Sequence, residues 1–208
     1  MMLATHIDAV RAALKEISLK HGGRRDFLDA GCGDGTRTLL FDDGTRNING
    51  CDFKDWLAPS ARGRVRLLTA DIMKDGLPYE DGSFDLLLSF DVIEHLARPE
   101  ALLYEMRRVL RPDGVMVVST PNRRRPYGVV LSMLGKRSFP YGEKKDSDPY
   151  AQHIREYTAG ELRDALAGAG FSVIRANRVF YGITGWYGVK SCMSLPLFHN
   201  MIFECRKG

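Results

Sequence analysis

DFLDAGCGDGTRT, residues 26–38, decides the fold. Phe27, Leu28 and Ala30 form a short apolar run, and Gly31, Gly33 and Gly35 follow it at once. A buried strand that runs into glycines and then opens a helix is the start of a ligand-binding α/β unit. The glycines permit a tight turn and let backbone approach a ligand closely. A dinucleotide fingerprint asks for Gly or Ala three positions past its second glycine, and Thr36 stands there. Asp29 and Asp34 flank the turn. They would repel a pyrophosphate and attract a cationic amino acid moiety.

Outward from this loop, strands and helices alternate. Upstream, Leu3, Ile7, Val10, Leu14 and Ile17 recur every three or four residues, and His21-Gly22-Gly23 ends that helix, which we place over 1–22. Downstream, the pattern predicts strands from Ile48 to Phe53, over RVRLLTAD (64–71) and over FDLLLSFD (84–91). The last is apolar on both faces, as a central parallel strand is. PEALLYEMRRVL (99–110) predicts a helix that starts at Pro99 and Glu100 and ends among arginines. GVMVVSTP, a helix near 158–169, FSVIRANRVF and MIFECRK complete the series. This alternation implies an α/β fold, with a parallel sheet and helices on both faces.

The chain has 208 residues, which suits one domain with one core, and we read 1–208 as that domain. With 44% hydrophobic and 27% charged residues it has an ordinary globular composition, and the formal charge of +4 is mild. No apolar run has the length of a membrane span, and the N-terminus has no signal-peptide pattern. The four cysteines form no Cys-x-x-Cys pair, so neither a zinc ribbon nor a redox motif is indicated; a chain this long needs no disulfide framework, and a reducing, cytoplasmic setting is expected. Two stretches are longer than ordinary connections. Residues 123–152 read as a lid-like insertion and 181–200 as an aromatic loop with Tyr181, Trp186, Tyr187 and Phe198. RRRPYGVVLSMLG (123–135) sets a basic cluster before an apolar stretch, a lid pattern that can also meet a membrane surface or a phosphate; membrane contact is not expected.

Acidic residues close successive strands: Asp29, Asp52, Asp71 and Asp91. Ligands in open α/β sheets bind outside those carboxyl ends. Asp52 follows Gly35 by 17 positions, where a carboxylate can accept both ribose hydroxyls. Asp71 can accept an exocyclic amine. After Asp91 come Glu94 and His95, at spacings that one helical turn would bring to one face. Such a turn can hold a metal, act as a base or cap a helix.

FLDAGCGDG, INGCD, TADI, GSFDLLLSFDVIEHL and LRPDGVMVVSTPN, taken in order, resemble the motifs of class I S-adenosylmethionine-dependent methyltransferases. The resemblance spans residues 26–122 and resumes over YTAGELRDALAGAGFSV, 157–173. It implies a Rossmann-like seven-stranded sheet whose last strand is antiparallel, and S-adenosyl-L-methionine as cofactor. Gly31 and Gly33 would line its methionine moiety, with Cys32 counted in the same loop. Asp29 would sit near its ammonium, Asp52 would hold the ribose, and Asp71 with the backbone of Ile72 would hold adenine. Phe90 would lie beside the methionine chain and Phe53 would pack on adenine or ribose.

DVIEHL, STPNRRRPYG and QHIREYTAGEL are most similar to O-methyltransferases of the ubiquinone-biosynthesis type. Some of those, and small-RNA 2′-O-methyltransferases, carry an acid-x-x-Glu-His turn that binds a divalent metal. Here the first acid is Asp91, which reaches less far. We therefore read His95 and His153 as the catalytic pair and assign no metal ligands. The expected acceptor is a small-molecule hydroxyl, and DNA is not an expected partner. An RNA 2′-O-methyltransferase with a metal site and a non-catalytic cofactor-binding homologue are the alternatives. The sequence carries no signal for oligomeric state.

Overall fold

The computed structural model describes residues 6–125, 129, 133–135, 150, 153–179 and 199–208. Helix α1 (His6–Lys20) leads to β1 (Asp26–Ala30), and β2 (Asn47–Asp52) and β3 (Arg66–Thr69) follow. A one-turn helix α2 (Ile72–Asp75) precedes β4 (Phe84–Phe90), and α3 (Pro99–Val109) runs into β5 (Leu110–Pro121). Helix α4 (Ala159–Gly168) and the strands β6 (Phe171–Val179) and β7 (Asn200–Lys207) close the chain.

The seven strands form one sheet in the order β3-β2-β1-β4-β5-β7-β6. The first five in that order pair in parallel, and β7 runs antiparallel to β5 and β6. Alternation along the strands divides the core. Leu86, Leu88, Val115, Val117 and Ile202 face one side, where Val10, Leu14 and Ile17 of α1 cover them. Leu87, Met116, Val118 and Phe203 face the other, against Leu102, Leu103 and Met106 of α3 and Leu162 and Leu166 of α4. Burying a leucine or valine side chain in this way contributes about 1.5–3 kcal/mol each, so the two apolar stripes hold the layers together.

The helix ends follow their residues. Pro99 occupies the first turn of α3, Glu100 lies beside it, and Arg107 and Arg108 sit in the last turn. Thr158 and Glu161 form a reciprocal capping box at the start of α4. Arg46 holds the end of α1, donating to the carbonyls of Ser18 and His21, to Phe41 O and to Arg24 O. Glu204 of β7, fully buried, accepts from Lys20 Nζ at 2.6 Å, His21 Nε2 at 2.9 Å and Asn177 Nδ2 at 3.0 Å. These partners outweigh burial and hold its carboxyl down at about 2.

One expectation is corrected here. The glycine loop opens no α-helix; only a 3-10 turn, Thr38–Phe41, follows it. Phe41 stacks on Phe27 at 4.9 Å between centroids, and Asp42 and Asp43 turn the chain back by accepting from Gly44 N and Thr45 N. The basic cluster is also less free than its composition suggests. Arg123 pairs with Glu161 at 2.9 Å, and buried Arg125 with Glu156 at 3.1 Å. The lid-like insertion lies mostly, and Tyr181, Trp186, Tyr187 and Phe198 lie wholly, outside the described residues. Among the described residues no helix is long and apolar enough to cross a membrane.

Candidate active site

Strand order reverses between β1 and β4, and a cavity of about 340 Å³ opens at their carboxyl ends. This is where an open α/β sheet receives its ligand. Gly31, Gly33, Asp34 and Asp52 line its polar end. Phe53, Trp56, Ile72, Met73 and Tyr150 form an apolar end. Asp91, Val92 and His95 line a third side.

The glycine loop is shaped by close approach. Gly31 has φ of 82°, and a Cβ there would lie 2.4 Å from Val92 Cγ2. At Gly33, with φ of 52°, a Cβ would meet no described atom within 4 Å. Its bare backbone therefore faces open cavity. Gly33 N donates to Asp52 Oδ2 and Phe53 N to Asp52 Oδ1, both at 2.8 Å. These bonds aim the carboxylate, and a carboxylate oxygen can accept more than one hydrogen bond.

Asp29 lies behind the loop and is not part of the cavity wall, 2% exposed. Its Oδ2 accepts from Thr38 Oγ1 at 2.6 Å, and its Oδ1 accepts no hydrogen bond among the described residues. Burial is the main reason its carboxyl is raised to about 7, with Asp52 adding to the effect. A buried carboxylate with an unused oxygen suits a cation, which would repay its desolvation.

Besides Asp29, three expected contacts lie off the cavity wall. Cys32 is buried and off the cavity, its sulfur packed below Gly50. Phe90 is buried in the layer beneath α1, with the Arg37 guanidinium 4.4 Å from its ring centroid. Asp71 does not line the cavity although Ala70 and Ile72 do. Its carboxyl caps α2 through Met73 N, pairs with Lys74 at 2.9 Å and accepts from Tyr150 Oη at 2.5 Å. Phe53 and Ile72 both line the cavity, and Phe53 meets Trp56 and Tyr150 edge-on.

The acidic turn does not present three side chains on one face. Ile93–His95 is a 3-10 turn, and Asp91 precedes it with φ of 54°. That left-handed backbone aims the Asp91 carboxylate at Ser119 Oγ at 2.6 Å and Asn200 Nδ2 at 3.2 Å. Glu94 points inward and is fully buried. Its Oε2 accepts from Thr120 Oγ1 at 3.0 Å, while Oε1 accepts no hydrogen bond among the described residues. Burial, and then Asp91, push its carboxyl well above the usual range.

His153 comes to this turn from outside. Ile154 N and Arg155 N donate to Glu94 O at 2.8 and 3.1 Å, so the segment is docked by its backbone. The His153 ring then meets His95 edge-on at 4.6 Å, behind the cavity wall. Burial chiefly, then His95 and Arg125, lowers the His153 imidazole to about 4, so it is neutral near pH 7. One ligand atom from each of Glu94, His95 and His153 lies within 4.8 Å of the others. Two imidazoles and a carboxylate at that spacing are a possible ligand set for a divalent ion.

Sequence reasoning missed Ser119, Asn200, Trp56 and Tyr150. Ser119 pairs with Phe90 next to Asp91, Asn200 stands on β7 one strand further on, and only the sheet order brings them there. Tyr150 sits in the long insertion, where periodicity gives no signal.

Fold and cavity together define a class I S-adenosylmethionine-dependent methyltransferase architecture, and the comparisons agree. Residues 3–176 match a family model described as a methyltransferase domain, and the chain belongs to that family, whose methyl donor is S-adenosylmethionine. A probable S-adenosylmethionine-dependent methyltransferase of Mycolicibacterium smegmatis is 38% identical over 161 residues, covering 76% of this chain and 56% of that one. A ubiquinone biosynthesis O-methyltransferase of Roseobacter denitrificans is 29% identical over 168 residues, covering 77% and 65%. The chain thus spans little more than half the length of the first of these. The crystal structure of a possible histamine N-methyltransferase from Thermotoga maritima has the same fold, with a TM-score of 0.69 at 20% identity, over 96% of this chain and 89% of that one.

Proposed function

We propose that this chain transfers the methyl group of S-adenosylmethionine to a hydroxyl of a small-molecule acceptor. One observation carries the reading: His95 lines the same cavity as Gly33 and Asp52, with the neutral His153 ring against its back. The likeness to a ubiquinone biosynthesis O-methyltransferase supports oxygen as the methylated atom.

S-adenosylmethionine supplies an electrophilic methyl on a sulfonium. In this reading Asp29 and the backbone of Gly31 and Gly33 hold the amino acid end, Asp52 the ribose, and Phe53 and Ile72 the faces of adenine. Cys32 and Phe90 act from behind, Cys32 by supporting the loop and Phe90 by holding the end of β4. His95 takes the acceptor proton as its oxygen becomes the nucleophile, and His153 fixes the His95 ring. Alignment and exclusion of water do the rest. The chain acts as one domain over 1–208, in a reducing cytoplasm that suits its buried, unbridged Cys32, Cys51 and Cys205.

Calorimetry with S-adenosylhomocysteine, followed by an acceptor screen read as S-adenosylhomocysteine release, tests this. Binding that is lost in Asp52→Asn, and turnover on phenols or catechols but not on amines, is the expected result. Turnover on amines alone overturns the hydroxyl assignment. The Glu94, His95 and His153 cluster favours a second reading, a divalent ion that acidifies the acceptor hydroxyl. Stoichiometric Mg or Mn binding to the S-adenosylhomocysteine complex, lost in Glu94→Gln, would establish it in place of the metal-free base.

A further inference from the structure

The apolar end of the cavity holds a polar contact that the motifs do not explain. Asp71 closes β3 and is the carboxylate expected to read adenine, yet it is off the cavity wall. Tyr150 is on that wall, and its hydroxyl donates to Asp71 Oδ1 at 2.5 Å. The ring of Tyr150 also packs edge-on against Phe53, 5.2 Å between centroids. Asp71 is itself held on three sides, by Met73 N, Lys74 Nζ and the phenol.

A phenol that gives its proton to a carboxylate can still accept on its own oxygen. Donation to an anion makes that oxygen a better acceptor, because hydrogen bonds in a chain polarise one another. We propose that Tyr150 is the residue that reads the adenine base, accepting from its exocyclic amine, and that Asp71 acts one step back as a positioning residue. Tyr150 would then set the base specificity of the site. The inference rests on the cavity being the S-adenosylmethionine site.

It fixes the chemistry recognised: a base with an amino group at the purine 6 position. The hypoxanthine analogue, S-inosylhomocysteine, carries a carbonyl oxygen there, which would face the Tyr150 oxygen. A site built to hydrogen-bond a donor discriminates strongly against its loss.

The test is calorimetry of S-adenosylhomocysteine and S-inosylhomocysteine on four proteins: wild type, Tyr150→Phe, Asp71→Asn and the double variant. Asparagine keeps the helix cap, and phenylalanine keeps the ring against Phe53, so both variants preserve the packing. We expect wild type to prefer the adenine ligand, and Tyr150→Phe to lose about tenfold of that preference. Asp71→Asn should lose a smaller factor, and none in the Tyr150→Phe background, because the two act in series. Tighter adenine binding in Tyr150→Phe would mean that Tyr150 competes for Asp71, and would overturn the proposal. An Asp71→Asn effect as large in the Tyr150→Phe background as in wild type would mean direct reading by Asp71, and would overturn it too. Failure of wild type to bind either ligand would sink the cofactor reading itself, whereas binding that Tyr150→Phe leaves unaltered would sink only this inference.

Discussion

The imidazole of His153 stands edge-on to that of His95, with centroids 4.6 Å apart and planes at 87°. The two residues are 58 positions apart in the chain, and the docking of Ile154 N and Arg155 N on Glu94 O brings them together. In the proposed mechanism this pairing separates a base that touches the acceptor from a neighbour that orients it.

On that geometry His95→Asn should lower kcat by about 10²–10⁴-fold, the usual contribution of a general base. S-adenosylhomocysteine affinity should hardly change. His153→Asn should lower kcat less. Steady-state kinetics beside calorimetry checks both, and loss of cofactor binding in His95→Asn would place His95 in cofactor binding instead.

His153 also predicts a stability profile. Its folded value, about 4, lies below the ordinary imidazole value of 6.5. Between these values the unfolded chain binds more protons, so the stability from the neutral ring is full above pH 6.5 and falls as pH drops toward 4. Thermal unfolding across that window should show the fall, and His153→Asn should flatten it.

Asp29 gives the opposite slope in stability. Its carboxyl is raised to about 7 from 3.8, so its protonated form is the stable one, and that contribution is lost as pH rises through 7. A cationic ligand requires the ionised form. S-adenosylhomocysteine affinity should therefore rise with pH between about 6 and 7.5, by at most about tenfold per pH unit. Asp29→Asn should bind weakly at every pH. A flat wild-type profile would show that Asp29 does not meet the ammonium.

Gly33→Ala separates folding from binding. A Cβ there meets no described atom, so the cost in stability is the left-handed backbone alone, about 1–2 kcal/mol. The methyl would project into the cavity, and S-adenosylhomocysteine binding should fall at least tenfold while the far-ultraviolet spectrum is kept. Unchanged affinity would put the methionine moiety elsewhere.

Glu204 is the structural contrast. It lies in no part of the cavity wall and ties α1 to β7 and β6 through Lys20, His21 and Asn177. Charged hydrogen bonds of this kind contribute about 1.5–3 kcal/mol, and exposure of Lys20 discounts its share. Glu204→Gln should lower the unfolding free energy by about 2 kcal/mol without altering ligand affinity, as denaturant titration and calorimetry would show.

Much of this was legible in the chain. The period of the apolar residues placed α1, α3, α4 and the strands to within a few positions, because burial on one face imposes that period. The missing helix after Gly35 was not legible, because the loop pattern looks the same whether the next turn is 3-10 or α. Phe41 stacking on Phe27 decided it, and that contact is tertiary.

By itself the sequence determined the α/β architecture, the glycine loop and the strand-end acids, since each follows from local periodicity, from glycine's conformational freedom and from where strands must end. Tertiary structure alone decided which acids face the cavity. Asp52 does, while Asp71 is turned to Tyr150 and Glu94 is buried beneath the turn. Tertiary structure alone also brought His153 to His95 and Asn200 to Asp91. The physical reason is the same in each case. A side chain's direction at a strand end is set by hydrogen bonds from segments far along the chain, and local spacing holds no record of them.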